Sequence, residues 1–386
     1  MSAAGVIVEF NPIHNGHIEH LEETRRLTNR EHIVAVMSGN FVQRGEPALC
    51  DKWRRTKMAL LAGVDIVIEL PLPYVISGAD YFARGSVGLL AATGVVDALC
   101  FGSESGNLPL LIEAGCALAF EPDEYKNALH QGLKKGLSFA AARGAGLGAV
   151  LDDVPEGFLT KPNNGLGMEY CKALWKMGMP MEVFTSYRAG GGPSATAIRK
   201  MVLRGDQWAE SMPTYAVKIL QDAISKKEIA NLDSYSDLFR YLLFTQELCM
   251  GEGLENRFRH YAKFHTRLPD LLDAVKTKRY TYTRLQRAVL GVILGAQAAD
   301  MALYESAGGP GYIRVLGFRR EAAGLLGQIT KKASLPVITH GQAMDNQVGV
   351  EAKMLAKELE AGDIYKMAFG GPCGYRHERG QGIVIV

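Results

Sequence analysis

Cysteine is scarce in this 386-residue chain: Cys50, Cys100, Cys116, Cys171, Cys249 and Cys373 are all there are. No two stand as Cys-x-x-Cys, and a zinc site would need a second cysteine near Cys373 and His377 that is absent. A chain this long and this poor in cysteine has no need of a disulfide framework, so the thiols read as reduced packing residues. Long apolar runs are missing too. No stretch of about 18 apolar residues occurs, the length a membrane helix requires. The first residues lack the basic start and small-residue cleavage pattern of an export signal, which points to the cytoplasm. Charge of one sign is also lacking. With 43 Lys and Arg against 41 Asp and Glu, the formal charge is only +2. Any polyanion must therefore meet a local patch.

What is present is an ordinary globular composition, 47% apolar and 22% charged, long enough for about two or three domains. Through roughly the first two hundred residues, β-branched runs alternate with stretches of helical spacing. The runs are Gly5–Phe10, His32–Met37, Asp65–Leu70, Val96–Phe101 and Met181–Thr185. The helical stretches are Ile18–Arg30, Asp51–Ala62, Tyr81–Ala92 and Asn164–Met177. Strand then helix, repeated, predicts an α/β domain, a Rossmann-like doubly wound parallel sheet. The strands are apolar without alternation, as suits strands covered on both faces. Residues 107–160 read as a helical insertion. A boundary is expected near 205, dividing a 1–205 domain from a mainly helical 206–386 region. Tyr312–Phe318 and Leu335–Thr339 are possible short strands there, and the Gly-rich tail from Ala368 has no assignment.

The strongest chemical signal is the first turn, Val8-Glu9-Phe10-Asn11-Pro12-Ile13-His14-Asn15-Gly16-His17. It follows a strand and opens a helix, where free backbone N–H groups and the positive end of the helix dipole attract phosphate. His14 and His17 lie one helical turn apart and both can donate to phosphate oxygens. Gly16 leaves room for a base or ribose. A second signal, Gly191-Gly192-Pro193-Ser194-Ala195-Thr196-Ala197-Ile198-Arg199, follows the last strand of the domain. Ser194 caps a helix there, and Arg199 supplies a fork suited to phosphate. Alone it is a plain helix start; beside the histidine turn it implies a second grip on the same phosphates.

Together the two motifs resemble the HxGH nucleotidyltransferases. Met37–Ala48, Lys52–Lys57, Gly63–Pro71, Phe101–Glu104, Lys161–Asn164, Gly253–Arg257 and Lys278–Thr281 narrow the likeness to the bacterial tRNA(Met) cytidine acetate ligases, over nearly the whole chain to about Thr339. The resemblance implies a ligase that activates acetate with ATP as acetyl-adenylate and acetylates the wobble cytidine of elongator methionine tRNA to N4-acetylcytidine. It implies an ATP site from Ile7 to His20 (Ile7, Val8, Glu9, Phe10, Asn11, Pro12, Ile13, His14, Asn15, Gly16, His17 and His20). Gly102, Asn163, Arg188, Ser194 and Thr196 join it. His14, His17 and Arg199 are the expected catalytic residues. Gly165 stands where the family usually carries a bulky aliphatic residue.

Mg2+ bridging the phosphates is expected from general phosphate chemistry, although no dedicated carboxylate cage is visible. Residues 251–290 hold nine Lys and Arg against four acids. Tyr280 and Tyr282 interleave with these cations, a composition suited to unpaired nucleotides. The tRNA-binding candidates are Arg257, Lys276, Lys278, Arg279, Tyr280 and Arg284. A second basic group, Arg44, Lys52, Arg54, Arg55 and Lys57, either guides RNA or serves the fold. The alternative function is a small-metabolite adenylyltransferase of the same superfamily. Such enzymes are usually much shorter and lack a basic helical region, and a screen of acceptors separates the two.

Overall fold

The computed structural model describes residues 2–188, 192–248, 250–277, 280–296, 298–341, 345–370, 378 and 380–386. Its strands are β1 (Ala3–Val8), β2 (His32–Ser38), β3 (Phe41–Val42), β4 (Glu46–Pro47), β5 (Ile66–Leu70), β6 (Val96–Ser103), β7 (Glu182–Tyr187), β8 (Ile313–Phe318), β9 (Val337–Ile338) and β10 (Val384–Ile385). Eight form one sheet in the order β10-β8-β5-β2-β1-β6-β7, with β9 also on β8. β3 and β4 make a separate hairpin. The five strands of the first half run parallel, whereas β8 is antiparallel to β5.

Along β2, Ile33, Ala35 and Met37 enter one apolar cluster, while Val34 and Val36 enter the other. Both faces of the sheet are thus covered by helices, which is why the strand sequences do not alternate. The chain passes from β1 to β2 and β5 on one side, then returns to place β6 and β7 on the other. That reversal falls between β1 and β6, and open α/β sheets bind ligands beyond the carboxyl ends of the strands at such a point.

The insertion consists of helices Leu108–Phe120, Asp123–Lys134 and Phe139–Gly148. After the helix Ala195–Arg204 the chain is helical up to the helix Ala298–Ser306. The expected boundary near 205 is nevertheless crossed by the sheet. Tyr312–Phe318 yields β8, buried along most of its length, and the tail supplies β10. The reason is electrostatic as well as apolar. Arg314 on β8 is fully buried and reaches Glu69 on β5 at 2.9 Å and Glu378 at 3.0 Å. Lys52 joins them, 2.7 Å from Glu69 and 3.0 Å from Glu378. Glu358 caps the helix at Leu72 by accepting from its backbone N–H at 2.7 Å. These buried charges stitch the second half of the chain to the first.

Candidate nucleotide site

The helix Asn15–Thr28 begins directly after the turn that follows β1, with His14 as its N-cap. The backbone N–H of His14 donates to His17 Nδ1 at 3.2 Å. That bond makes Nδ1 an acceptor, so the proton of His17 sits on Nε2. The two imidazoles stack with ring centres 3.8 Å apart, and Phe10 meets His17 edge-on. One turn further, His20 Nδ1 lies 2.7 Å from Ser186 Oγ on β7. Burial, and next the positive charge of Arg188, push the pKa of His14 and of His20 down to about 4. Burial, then His14 and Arg188, push His17 well below its ordinary value. At neutral pH this row is uncharged. It offers N–H donors rather than cations.

The turn itself is fixed from below. Fully buried Arg55 donates to the carbonyls of Glu9 at 2.7 Å and Ser38 at 3.1 Å, tying the carboxyl ends of β1 and β2 together, and it also holds Gly39. Asn11 Oδ1 accepts from the Leu49 N–H at 2.7 Å. Glu9 Oε1 accepts from the Gln43 N–H at 2.7 Å, and burial raises the pKa of that carboxyl group. Gly16 leaves the His14 ring in place: a Cβ there would lie 3.2 Å from it, so the ring would have to give slightly.

On the β6 side, Glu104 organises the wall. It accepts from the Asn163 side chain at 2.7 Å and from the Asn164 N–H at 2.9 Å, at the start of the helix Pro162–Lys176. Asn164 Oδ1 accepts in return from the N–H groups of Glu104 and Ser105. Asn163 is left with its Oδ1 accepting from exposed Arg188 at 3.1 Å. The Arg188 stem crosses Gly102, where a Cβ would fall 2.8 Å from Arg188 Cδ. Gly102, Asn163 and Arg188 thus meet at one wall, and Gly102 makes room for Arg188 itself. Gly165 has open space around its Cβ position, and the helix starts regularly beneath it.

Across the turn, Ser194 Oγ accepts from the Ala197 N–H at 3.3 Å and caps the helix Ala195–Arg204. Arg199 donates to the Asn11 carbonyl at 2.7 Å and to Thr196 Oγ1 at 3.3 Å, and pairs with Glu46. The two motifs far apart in sequence are therefore joined by one guanidinium. Glu46, Glu104 and Arg55 were not among the expected site residues. Each acts on partners distant in the chain, which local spacing does not reveal.

The second basic group divides. Lys52 and Arg55 are fully buried and belong to the fold. Arg54 is tied to Asp51 and Glu228, whereas Arg44 and Lys57 are exposed. In the helical half, Arg284 stacks over Tyr280 at 5.0 Å and pairs with Glu252 at 3.2 Å. Arg257 covers Tyr261 and donates to the Val275 carbonyl at 2.8 Å. Lys276 is exposed. Lys278 and Arg279 lie outside the described residues, as do Cys249, Cys373 and His377. The helix Tyr282–Ile293 abuts the site through the β3–β4 hairpin: Gly45, at φ +82°, packs so closely that a Cβ would sit 2.5 Å from the Arg287 backbone nitrogen.

Comparison with known proteins places the whole chain. The family described as HIGH Nucleotidyl Transferase matches residues 1–379. A tRNA(Met) cytidine acetate ligase of Caldanaerobacter subterraneus subsp. tengcongensis is 40% identical over 388 residues, covering 96% of each protein. One from Acetivibrio thermocellus is 37% identical over 400 residues, again with 96% of each covered. The crystal structure of Thermotoga maritima TmcAL bound with alpha-thio ATP superposes with a TM-score of 0.93 at 34% identity, covering all of both chains.

Proposed function

The chain belongs to the tRNA(Met) cytidine acetate ligases of the HIGH nucleotidyltransferase family, and from that premise we propose how its crevice performs the reaction. ATP lies along the turn Ile7–His20, with its phosphates over the start of the helix Asn15–Thr28. Gly102, Asn163 and Arg188 form the wall beside the nucleoside. An acetate oxygen attacks the α-phosphorus, the bond to the β-phosphate bridging oxygen breaks, and pyrophosphate leaves. The cytidine N4 then attacks the acetyl carbonyl, losing a proton, and AMP departs with the mixed-anhydride oxygen. The product is N4-acetylcytidine at the wobble position of elongator methionine tRNA.

One observation carries this reading: the uncharged, stacked His14–His17 pair at a helix N-terminus at the reversal of the sheet. Donors preset where charge accumulates stabilise a transition state without reorganising. Holding acetate and ATP together supplies a further share, about 7–11 kcal/mol in favourable systems. In this reading Ser194, Thr196 and Arg199 hold the β- and γ-phosphates, and Arg199 exchanges Glu46 for phosphate oxygens. No three His, Cys, Asp or Glu side chains converge as a metal site among the described residues. Bound Mg2+ would neutralise charge on the phosphates of ATP, and no step is assigned to it. Residues 1–205 carry this chemistry. The helical part of 206–386 receives tRNA through Arg257, Lys276, Lys278, Arg279, Tyr280 and Arg284, the helix bearing Arg284 being the one that abuts the site.

The test is incubation with unmodified elongator methionine tRNA, ATP and labelled acetate, followed by nucleoside analysis. Label is expected in N4-acetylcytidine alone. ATP consumption with transfer of AMP to a small acceptor, and no labelled nucleoside, would favour a metabolite adenylyltransferase instead.

A further inference from the structure

Behind the β3–β4 hairpin lies a cleft of about 170 Å³ between the segment Leu72–Ile76 and the helices Tyr282–Ile293, Ala298–Ser306 and Gly349–Met367. None of the expected site residues lines it. It is smaller than the roughly 300–1,000 Å³ pockets that enclose a whole ligand, yet far larger than the roughly 30 Å³ share of one water. It suits part of a larger molecule.

Its chemistry is divided. Leu72, Ile76 and Met301 give apolar walls, and Arg287 and Lys357 add two cations to the lining, Lys357 being paired with Glu360 at 3.1 Å. Tyr304 lines it as well. That residue is fully buried, and its hydroxyl has no hydrogen-bond partner among the described residues. A buried hydroxyl without a partner is rare and calls for an explanation. Asp300, which pairs with Lys353 at 2.7 Å, adds a carboxylate to the lining. Apolar faces, a hydrogen-bonding edge and flanking cations together match a heterocyclic base on a phosphate backbone.

The cleft also lies next to the reaction. Arg287 donates to the Gln43 carbonyl at 3.5 Å, and the N–H of that same Gln43 donates to Glu9 at the end of β1. Only the hairpin separates the two. We propose that this cleft receives the unstacked base of an anticodon-loop nucleotide flanking the reacting cytidine, with the Tyr304 hydroxyl bonding its edge and Arg287 and Lys357 meeting its phosphates. The proposal rests on the tRNA reading above. Splaying one loop base into the protein would free its neighbour to reach the acetyl group.

Gly291 lines the cleft, and a Cβ built on it has no neighbour nearer than 4.0 Å. The first carbon of a side chain there thus has room, and Gly291→Leu narrows the cleft while favouring its helix. Tyr304→Phe removes only the hydroxyl. For Gly291→Leu the KM for methionine tRNA is expected to rise at least about tenfold, the scale of losing one stacked base. Tyr304→Phe should raise it less. Acetate-dependent exchange of pyrophosphate into ATP, measured without tRNA, should stay at the wild-type rate for both. Wild-type enzyme assayed on tRNAs made abasic at one loop position at a time gives the second arm. One flanking position should reproduce the loss, and that loss should not add to Gly291→Leu, as expected of groups in contact. An unchanged tRNA KM, additive losses at every position, or a shift in the acetate KM instead would overturn the proposal. Failure of the wild-type enzyme to acetylate any tRNA would reject the underlying function, a separate result.

Discussion

His17→Ala is expected to lower acetate-dependent exchange of pyrophosphate into ATP by about 10²–10³, the loss found when one preset donor is taken from a developing oxyanion. His17 Nδ1 is occupied by the His14 N–H, so only Nε2 is available to a phosphate. The fold should survive. The lost bond is a helix cap, worth about 1 kcal/mol. Because burial and Arg188 hold His14 at about 4, and His17 well below its ordinary value, the donors stay neutral across the working range. Wild-type exchange should accordingly show no histidine titration between pH 6 and 8. Exchange rates measured over that range check both statements. A variant with full activity, or an inflection near pH 6.5 beyond that of ATP and pyrophosphate themselves, would remove His17 from the role given to it.

The second large effect concerns the buried charges. Lys52, Arg314, Glu69, Glu358 and Glu378 are all nearly inaccessible to water. Burial alone would raise Glu378, yet Lys52 and Arg314 hold it down at about 2. Burial, then repulsion from Glu69, pushes Glu358 well above the carboxylate range. Lys52→Met leaves three carboxyl groups to Arg314 alone. Removing one partner from a buried ion pair typically costs about 3–5 kcal/mol, a large part of the stability of an ordinary domain. The urea midpoint should fall steeply. Since β8 and Glu378 are held by this cluster, the variant should also lose protection of β8 amides from hydrogen exchange before β1 and β2. An unchanged midpoint would show that the cluster does not join the halves.

The five parallel strands were legible because β-branched runs separated by amphipathic stretches have one simple solution. The first turn was legible because His14, Gly16 and His17 are all local to one helix start. Lys52 and Arg55 were harder. They share a face with Ala59 and Leu60 of the helix Lys52–Leu61, so helical periodicity held the signal for their burial; charge masked it. Glu104 and Asn163 meet across 59 residues, and Glu46 reaches Arg199 across 153. Contacts of that kind depend on the folded sheet, not on spacing. The tail strand β10 is two residues long, too short to announce itself. It exists because Gly317 and Phe318 offer it an edge.

The central claim is attack by acetate on the α-phosphorus of ATP within the crevice at β1 and β6. Acetate carrying ¹⁸O in both oxygens tests it most directly, in a complete reaction with methionine tRNA. One labelled oxygen is expected in AMP, with none in pyrophosphate. Labelled inorganic phosphate accompanied by ADP would mean attack at the terminal phosphate and would contradict the account.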